Sequence, residues 1–295
     1  MTSIKIESDN YIARISREGG ALTELKFGSR DLVELRISPQ YFCGALLAPW
    51  PNRIRDGKYS WKGHDFQAPV NEIARNNNLH ALVFDREWSV VGQTQSSVIL
   101  SLSVKKSAAY PTDLDFFVTY SLLTEGLHWQ INSKNVGKSS APFGVSVHPY
   151  LIAGPGIMND VCTLKMAASY FMDVDDIRLL PTGVKSVEGT DFDFRNGRII
   201  GTQFIDHAFL MDEHNSRIEF YNSRGTGVWI SSDENAKWCQ VHTADRDGGK
   251  GSRMQLAVEP MTCAADSFNS KEDVIELAPG ETHSMYWKIG ALGNI

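Results

Sequence analysis

Basic clusters are missing from this 295-residue chain: Lys105-Lys106 is its longest run of Lys or Arg, and its formal net charge is −6 at pH 7. A nucleic-acid partner is not expected on that balance, because binding phosphates requires concentrated positive charge. Long apolar runs are missing too. No stretch approaches the roughly 18 apolar residues of a membrane span. Residues 1–10 lack the basic and apolar regions of a secretory signal, so a cytoplasmic protein without a membrane partner is expected. Cysteine is scarce. Cys43, Cys162, Cys239 and Cys263 lie far apart with no CxxC spacing, which argues against a zinc site or a disulfide framework. Four reduced, small, buried hydrophobes fit better. The eight histidines show no His-x-His or His-x-x-x-His spacing, so a metal site is not expected. Helical periodicity is nearly absent; residues 173–179 and 233–238 are the two candidates for short helices. Without long linkers, low-complexity tracts or internal repeats, residues 1–295 read as one domain. A core of this size needs no disulfide or metal.

What the sequence does have is alternation. Leu100, Leu102 and Val104 take every second position, as do Phe116, Val118, Tyr120 and Leu122. Leu127, Trp129 and Ile131, then Ile218 and Phe220, then Met285, Trp287 and Ile289 repeat the pattern. Period two places one set of side chains on one face of a sheet, and antiparallel sheets with one packed face read this way. Turn signals punctuate the runs at Glu18-Gly19-Gly20, Asp56-Gly57, Asn196-Gly197 and Pro279-Gly280. The last suits a type II turn, with Gly at the position that needs positive φ. The fold class expected is all-β: a large antiparallel β-sandwich with few short helices.

Two stretches carry titratable groups in unusual settings. In Val145-Ser146-Val147-His148-Pro149-Tyr150 and in Ala257-Val258-Glu259-Pro260, an apolar β-type run ends in an ionisable residue followed by proline. Proline holds the preceding residue extended and offers no N–H to a ladder. Each run should therefore place its ionisable side chain at a strand end near a sheet rim, as a site residue or as an ordinary rim residue. Trp50-Pro51-Asn52-Arg53 is a polar and aromatic loop, and Asn76-Asn77-Asn78 supplies amide groups just before His80.

With these residues in view, the chain resembles the aldose 1-epimerases of the galactose mutarotase-like group. Pro51-Asn52-Arg53-Ile54 looks like that family's Asn-Arg segment. Asn78-Leu79-His80, followed by Trp88, is similar to its His-Gly segment. His148-Pro149-Tyr150 matches its His-Pro-Tyr. Asp206, before His207-Ala208-Phe209-Leu210, resembles its Asp-x-x-Phe, and Gln240-Val241-His242-Thr243 resembles its Gln-x-Tyr-Thr. Glu259-Pro260-Met261-Thr262, followed by Asp266 and Asn269, matches its Glu-Pro-Met-Thr. Six short matches stand in register from Pro51 to Asn269. Two positions depart: Ala81 stands where Gly is usual, so the local backbone should differ, and His242 stands where Tyr is common.

The resemblance implies an isomerase that opens and recloses the hemiacetal of a free aldose such as galactose or glucose, with no cofactor. It implies Glu259 as general base on the C1 hydroxyl and His148 as general acid on the ring oxygen. Arg53, His80, Asp206 and Gln240 would bind sugar hydroxyls, and Tyr150 or Trp50 would lie against the ring. Ordinary pKa values of about 4.3 for Glu and 6.5 for His leave a window with the glutamate ionised and the histidine protonated. A neighbouring carboxylate should widen that window upward. His64, His128, His207, His214 and His283 match no such position, so surface or structural roles are expected. A small-molecule sugar is the expected partner, and the protein is expected to be a monomer or homodimer. Three rivals stand: a hexose 6-phosphate epimerase drawing on Arg53, Arg55 and Arg75; a carbohydrate-binding protein without turnover; and a two-carboxylate glycosidase. The last lacks a second acid in a setting like that of Glu259.

Overall fold

The alternating runs become two large antiparallel sheets in a computed structural model of the chain, which describes residues 3–34, 41–212, 217–246 and 251–293. The nine-stranded sheet has the strands Leu114–Leu123, Gly126–Asn135 and Thr282–Leu292 at its centre. The eight-stranded sheet runs from Pro181–Ser186 through Ala168–Val174, Asp206–Met211, Trp238–His242 and Leu256–Met261 to Ser146–Val147 and Leu46–Leu47. Tyr150–Leu151 pairs alongside Leu256–Met261. A four-stranded sheet of residues 3–31 completes the N-terminal part.

Period two decides what goes inside. Trp129, Ile131, Met285, Trp287 and Ile289 from the larger sheet are fully buried in one core with Cys239, Val241, Leu256 and Val258 from the smaller. Burying each large apolar side chain is worth about 1.5–3 kcal/mol. Trp287 ties the layers together: its indole N–H donates to the Pro260 carbonyl across the sandwich at 3.2 Å. The residues between those core positions, Gln240 and His242 on one strand and Ala257 and Glu259 on the next, must point the other way. The candidate site therefore stands on the outer face of the eight-stranded sheet.

The two short helices expected from sequence are turns. Asp175 accepts backbone N–H groups from Ile177, Arg178 and Leu180, at 3.1, 2.6 and 3.0 Å. Asp233 likewise accepts from Asn235 at 3.1 Å, and Trp238 already belongs to a strand. Aspartates that bond their own downstream backbone favour turns over helix. The α-helix among the described residues is Ser267–Ser270. Gly280 does take the positive φ, +82°, that its turn requires.

Candidate active site

Glu259 departs from the sequence expectation. It lies inside the strand Leu256–Met261 rather than at its end, and Pro260 continues that strand. The neighbouring strand explains this. Val258 N–H donates to Pro149 O and Thr262 N–H to Val145 O, so the missing N–H of Pro260 falls between them. There the partner breaks into Ser146–Val147 and Tyr150–Leu151, and Ser146 Oγ donates to Pro260 O instead. His148 occupies that break, as its Pro149 suggested. Its backbone is fixed from both sides: His148 N–H donates to Ala45 O at 3.0 Å, and Gly44 N–H donates to His148 O at 2.8 Å.

The result is a buried pair. His148 Nε2 lies 3.2 Å from Glu259 Oε1. His148 Nδ1 and Glu259 Oε2 are also buried, and neither has a hydrogen-bond partner among the described residues. Strand register brings further polar groups to the same face, with Gln240 directly opposite Glu259 and His242 opposite Asp206. Gln240 Nε2 donates to Asp206 Oδ1 at 2.6 Å, and Arg53 Nη2 reaches Asp206 Oδ2 at 3.4 Å. These residues, with His80 and Tyr150, line one cavity of about 590 Å³, within the size range of small-molecule sites. All seven site residues named from sequence thus meet in one place.

Trp50 does not join them. It is fully buried against Phe268, and its N–H donates to Asn78 Oδ1. His64, His128, His207 and His283 are also absent from the cavity lining, while His214 lies outside the described residues. Sequence reasoning missed Asn52, Tyr41, Phe42, Phe204 and Arg246 as lining groups, because they come from loops with no repeating pattern.

His80 is held in one orientation. Its N–H donates to Asn52 O at 3.0 Å, and Asn52 N–H donates back to His80 Nδ1 at 3.3 Å. With Nδ1 accepting, the neutral ring carries its proton on Nε2. Burial, then the neighbouring His148 and Arg53, lower its pKa well below the usual value, so the ring stays neutral. Donor atoms of His80, His148 and Glu259 lie within 4.8 Å of one another, a grouping that could hold a metal ion. Residues this far apart in sequence show no ligand spacing. A proton on His80 Nε2 makes that nitrogen a hydrogen-bond donor and suits it less well to a metal.

Both His80 and Ala81 adopt left-handed conformations, at φ +65° and +62°. The local backbone therefore keeps a glycine-type conformation with an alanine in it, at a cost of about 1–2 kcal/mol. Ala81→Gly removes that strain. It also loses a buried methyl worth about 0.8 kcal/mol and gains about 0.4–1 kcal/mol of unfolded-chain freedom. Denaturant unfolding is thus expected to show stability within about 1 kcal/mol of the parent; a larger loss would mean that the Ala81 methyl matters more than its strain.

The electrostatics correct another expectation. Burial, aided by His242, lowers the His148 pKa to about 3, whereas a neighbouring carboxylate had suggested a rise. Burial and then Asp206 raise Glu259 well above the carboxylate range, with Arg53 opposing. A buried pair this close avoids separated charges, so it rests neutral, with one proton between its members. Asp206 behaves oppositely: burial pushes its pKa up, but Arg53, His242 and Gln240 outweigh it and keep the carboxylate ionised.

The aldose 1-epimerase family model matches residues 2–289. The chain is 32% identical to YihR, an uncharacterised Escherichia coli protein, over 97% of this chain and 92% of YihR. It is 29% identical to the E. coli aldose 1-epimerase over 68% of this chain, a match that takes in 61% of that enzyme. In structure it resembles a putative aldose 1-epimerase of E. coli, with a TM-score of 0.86, 98% of each chain covered and 19% identity.

Proposed function

The chain belongs to the aldose 1-epimerase family, and from its site we propose that it interconverts the α and β anomers of a free aldose such as galactose or glucose. As a family member it is an isomerase acting on carbohydrates. One observation carries the proposal: a buried His148–Glu259 pair, with Nε2 and Oε1 3.2 Å apart, sits at the wall of a sugar-sized cavity. Each keeps one buried polar atom without a hydrogen-bond partner among the described residues. Buried polar atoms are nearly always paired, and a polyhydroxylated ligand would supply donors and acceptors in quantity.

The chemistry follows from the shared proton. In the bound state the C1 hydroxyl donates to the Glu259 carboxylate and the ring oxygen accepts from the His148 imidazolium. Each hydrogen bond favours the charged form of its partner, so sugar binding draws the proton from Glu259 to His148. Glu259 then takes the hydroxyl proton as His148 protonates the ring oxygen and the C1–O5 bond breaks. Rotation about C1–C2 presents the other aldehyde face, and the two residues exchange roles on closure. Positioned proton transfer of this kind contributes about 10²–10⁴-fold. Arg53, His80, Asp206 and Gln240 bind hydroxyls, and Tyr150, whose ring lies 5.0 Å from that of His148, borders the sugar.

This reading fixes a pH profile. Activity needs one proton on the pair. Below the acid limb a second proton adds to His148, whose pKa burial lowers to about 3. Above the alkaline limb the last proton leaves Glu259, whose pKa burial raises. The acid limb of kcat/KM against pH should therefore lie well below the ordinary histidine range near 6.5. An acid limb centred near 6.5 would show a solvated histidine and refute the neutral pair.

The phosphate-ester alternative requires free cations. Arg53 and Arg75 both pair with Glu72, and Arg246 pairs with Glu34, which favours a substrate carrying no phosphate. Polarimetry on freshly dissolved α-galactose, α-glucose and glucose 6-phosphate tests this. A marked preference for the phosphate ester overturns the free-sugar reading, and no acceleration of any aldose leaves a binding protein without turnover.

A further inference from the structure

Glu72 immediately precedes the 3-10 turn Ile73–Arg75 and is only 11% exposed at its side chain. Both of its oxygens are occupied by protein donors. Arg53 Nε donates to Oε2 at 3.0 Å and Arg53 Nη2 to Oε1 at 3.1 Å. Arg75 Nη1 donates to Oε1 at 3.2 Å and Asn77 Nδ2 to Oε2 at 2.9 Å. The Glu72 backbone is tied to the same asparagine, its N–H donating to Asn77 O at 3.1 Å. The carboxylate is thus filled from several sides and does not line the sugar cavity.

The guanidinium it holds does line that cavity. The Nε–Nη2 edge of Arg53 is committed to Glu72, and Nη2 also reaches Asp206 at 3.4 Å. Among the described residues, Nη1 makes only a marginal contact, 3.5 Å to Asn52 Oδ1. Of the two edges that could grip an oxyanion with parallel bonds, one is taken by Glu72 and the other shares Nη2 with Asp206. We propose that Glu72 is a positioning residue of this isomerase: it locks Arg53 so that Nη1 is the donor offered to a sugar hydroxyl and Nη2 steadies Asp206. The proposal rests on the reading of Arg53 and Asp206 as sugar-binding groups. It deepens that reading by tracing their orientation to a carboxylate that touches no substrate.

The test compares Glu72→Gln and Glu72→Asp with the parent by polarimetric kinetics on the best aldose, after circular dichroism confirms folding. Glu72→Gln keeps one acceptor but loses the charge and the two-bond grip. It should raise KM about tenfold while kcat stays within about threefold, the signature of lost uniform binding. Glu72→Asp keeps the charge at a shorter reach and should fall between, with KM raised about threefold. A merely structural role would lower the folded fraction, and so the apparent kcat, and leave KM unmoved. If Glu72→Gln does not fold, Glu72→Asp decides, and a parental KM in that variant overturns the proposal. A parental KM in a folded Glu72→Gln also overturns it. If the parent accelerates no aldose, the reading of the site fails and this inference falls with it; an active parent beside an unaffected variant defeats the inference alone.

Discussion

Glu259→Gln and His148→Asn should each lower kcat by about 10²-fold or more, with a smaller change in KM. Both replacements are close in size, and both remove a proton carrier while leaving a polar amide. The pair acts as a unit, so the double variant should lose little more than either single one. A stability measurement separates this from damage to the fold. The folded pKa of Glu259 is raised by burial, so above its ordinary pKa the unfolded chain releases a proton that the folded chain keeps. Stability then falls as pH rises through that window. Glutamine has no such proton to lose. Glu259→Gln should therefore melt at a higher temperature than the parent at pH 7 while losing nearly all turnover. Near-parental kcat in either single variant would refute the proton-carrier assignment.

Local pattern made the strands legible, and local pattern is where legibility ends. Trp129, Ile131, Trp287 and Ile289 were readable as core because period two needs only neighbouring residues. The meeting of Asp206, Gln240 and Glu259 depends on register between three strands, which no single segment encodes. The resemblance to a family supplied that convergence as an expectation. Glu259-Pro260 misled for a related reason: proline ends pairing only where a partner needs its N–H, and here the partner strand is itself broken at His148. Glu72 carried no signal at all, since one glutamate before a turn is an ordinary sequence. The electrostatic expectation failed because charge proximity was weighed without burial, and His148 and Glu259 are 4% and 2% exposed.

Substitution of Gly44 should damage the fold severely. It lies at φ +66°, and a Cβ there would stand 1.8 Å from the Leu22 carbonyl oxygen. The left-handed conformation alone costs an alanine about 1–2 kcal/mol. The clash is with backbone, so relief means moving one of two chains that are bonded together: Leu22 N–H donates to Gly44 O at 2.9 Å, and Gly44 N–H donates to His148 O at 2.8 Å. A buried bond left unmade costs about 1–3 kcal/mol. Gly44→Ala should thus lose about 2–5 kcal/mol, a large part of the roughly 5–15 kcal/mol that holds a typical domain folded. Gly63→Ala provides the control: φ is +81° but nothing lies within 4 Å of its Cβ, so it should lose only the conformational cost. Denaturant unfolding of the two variants separates strain from collision, and equal losses would show that Leu22 yields freely. Because Gly44 also anchors the His148 carbonyl, whatever Gly44→Ala protein remains folded should turn over more slowly than Gly63→Ala. The same glycine would then be seen to hold both the sheet and the imidazole that the chemistry depends on.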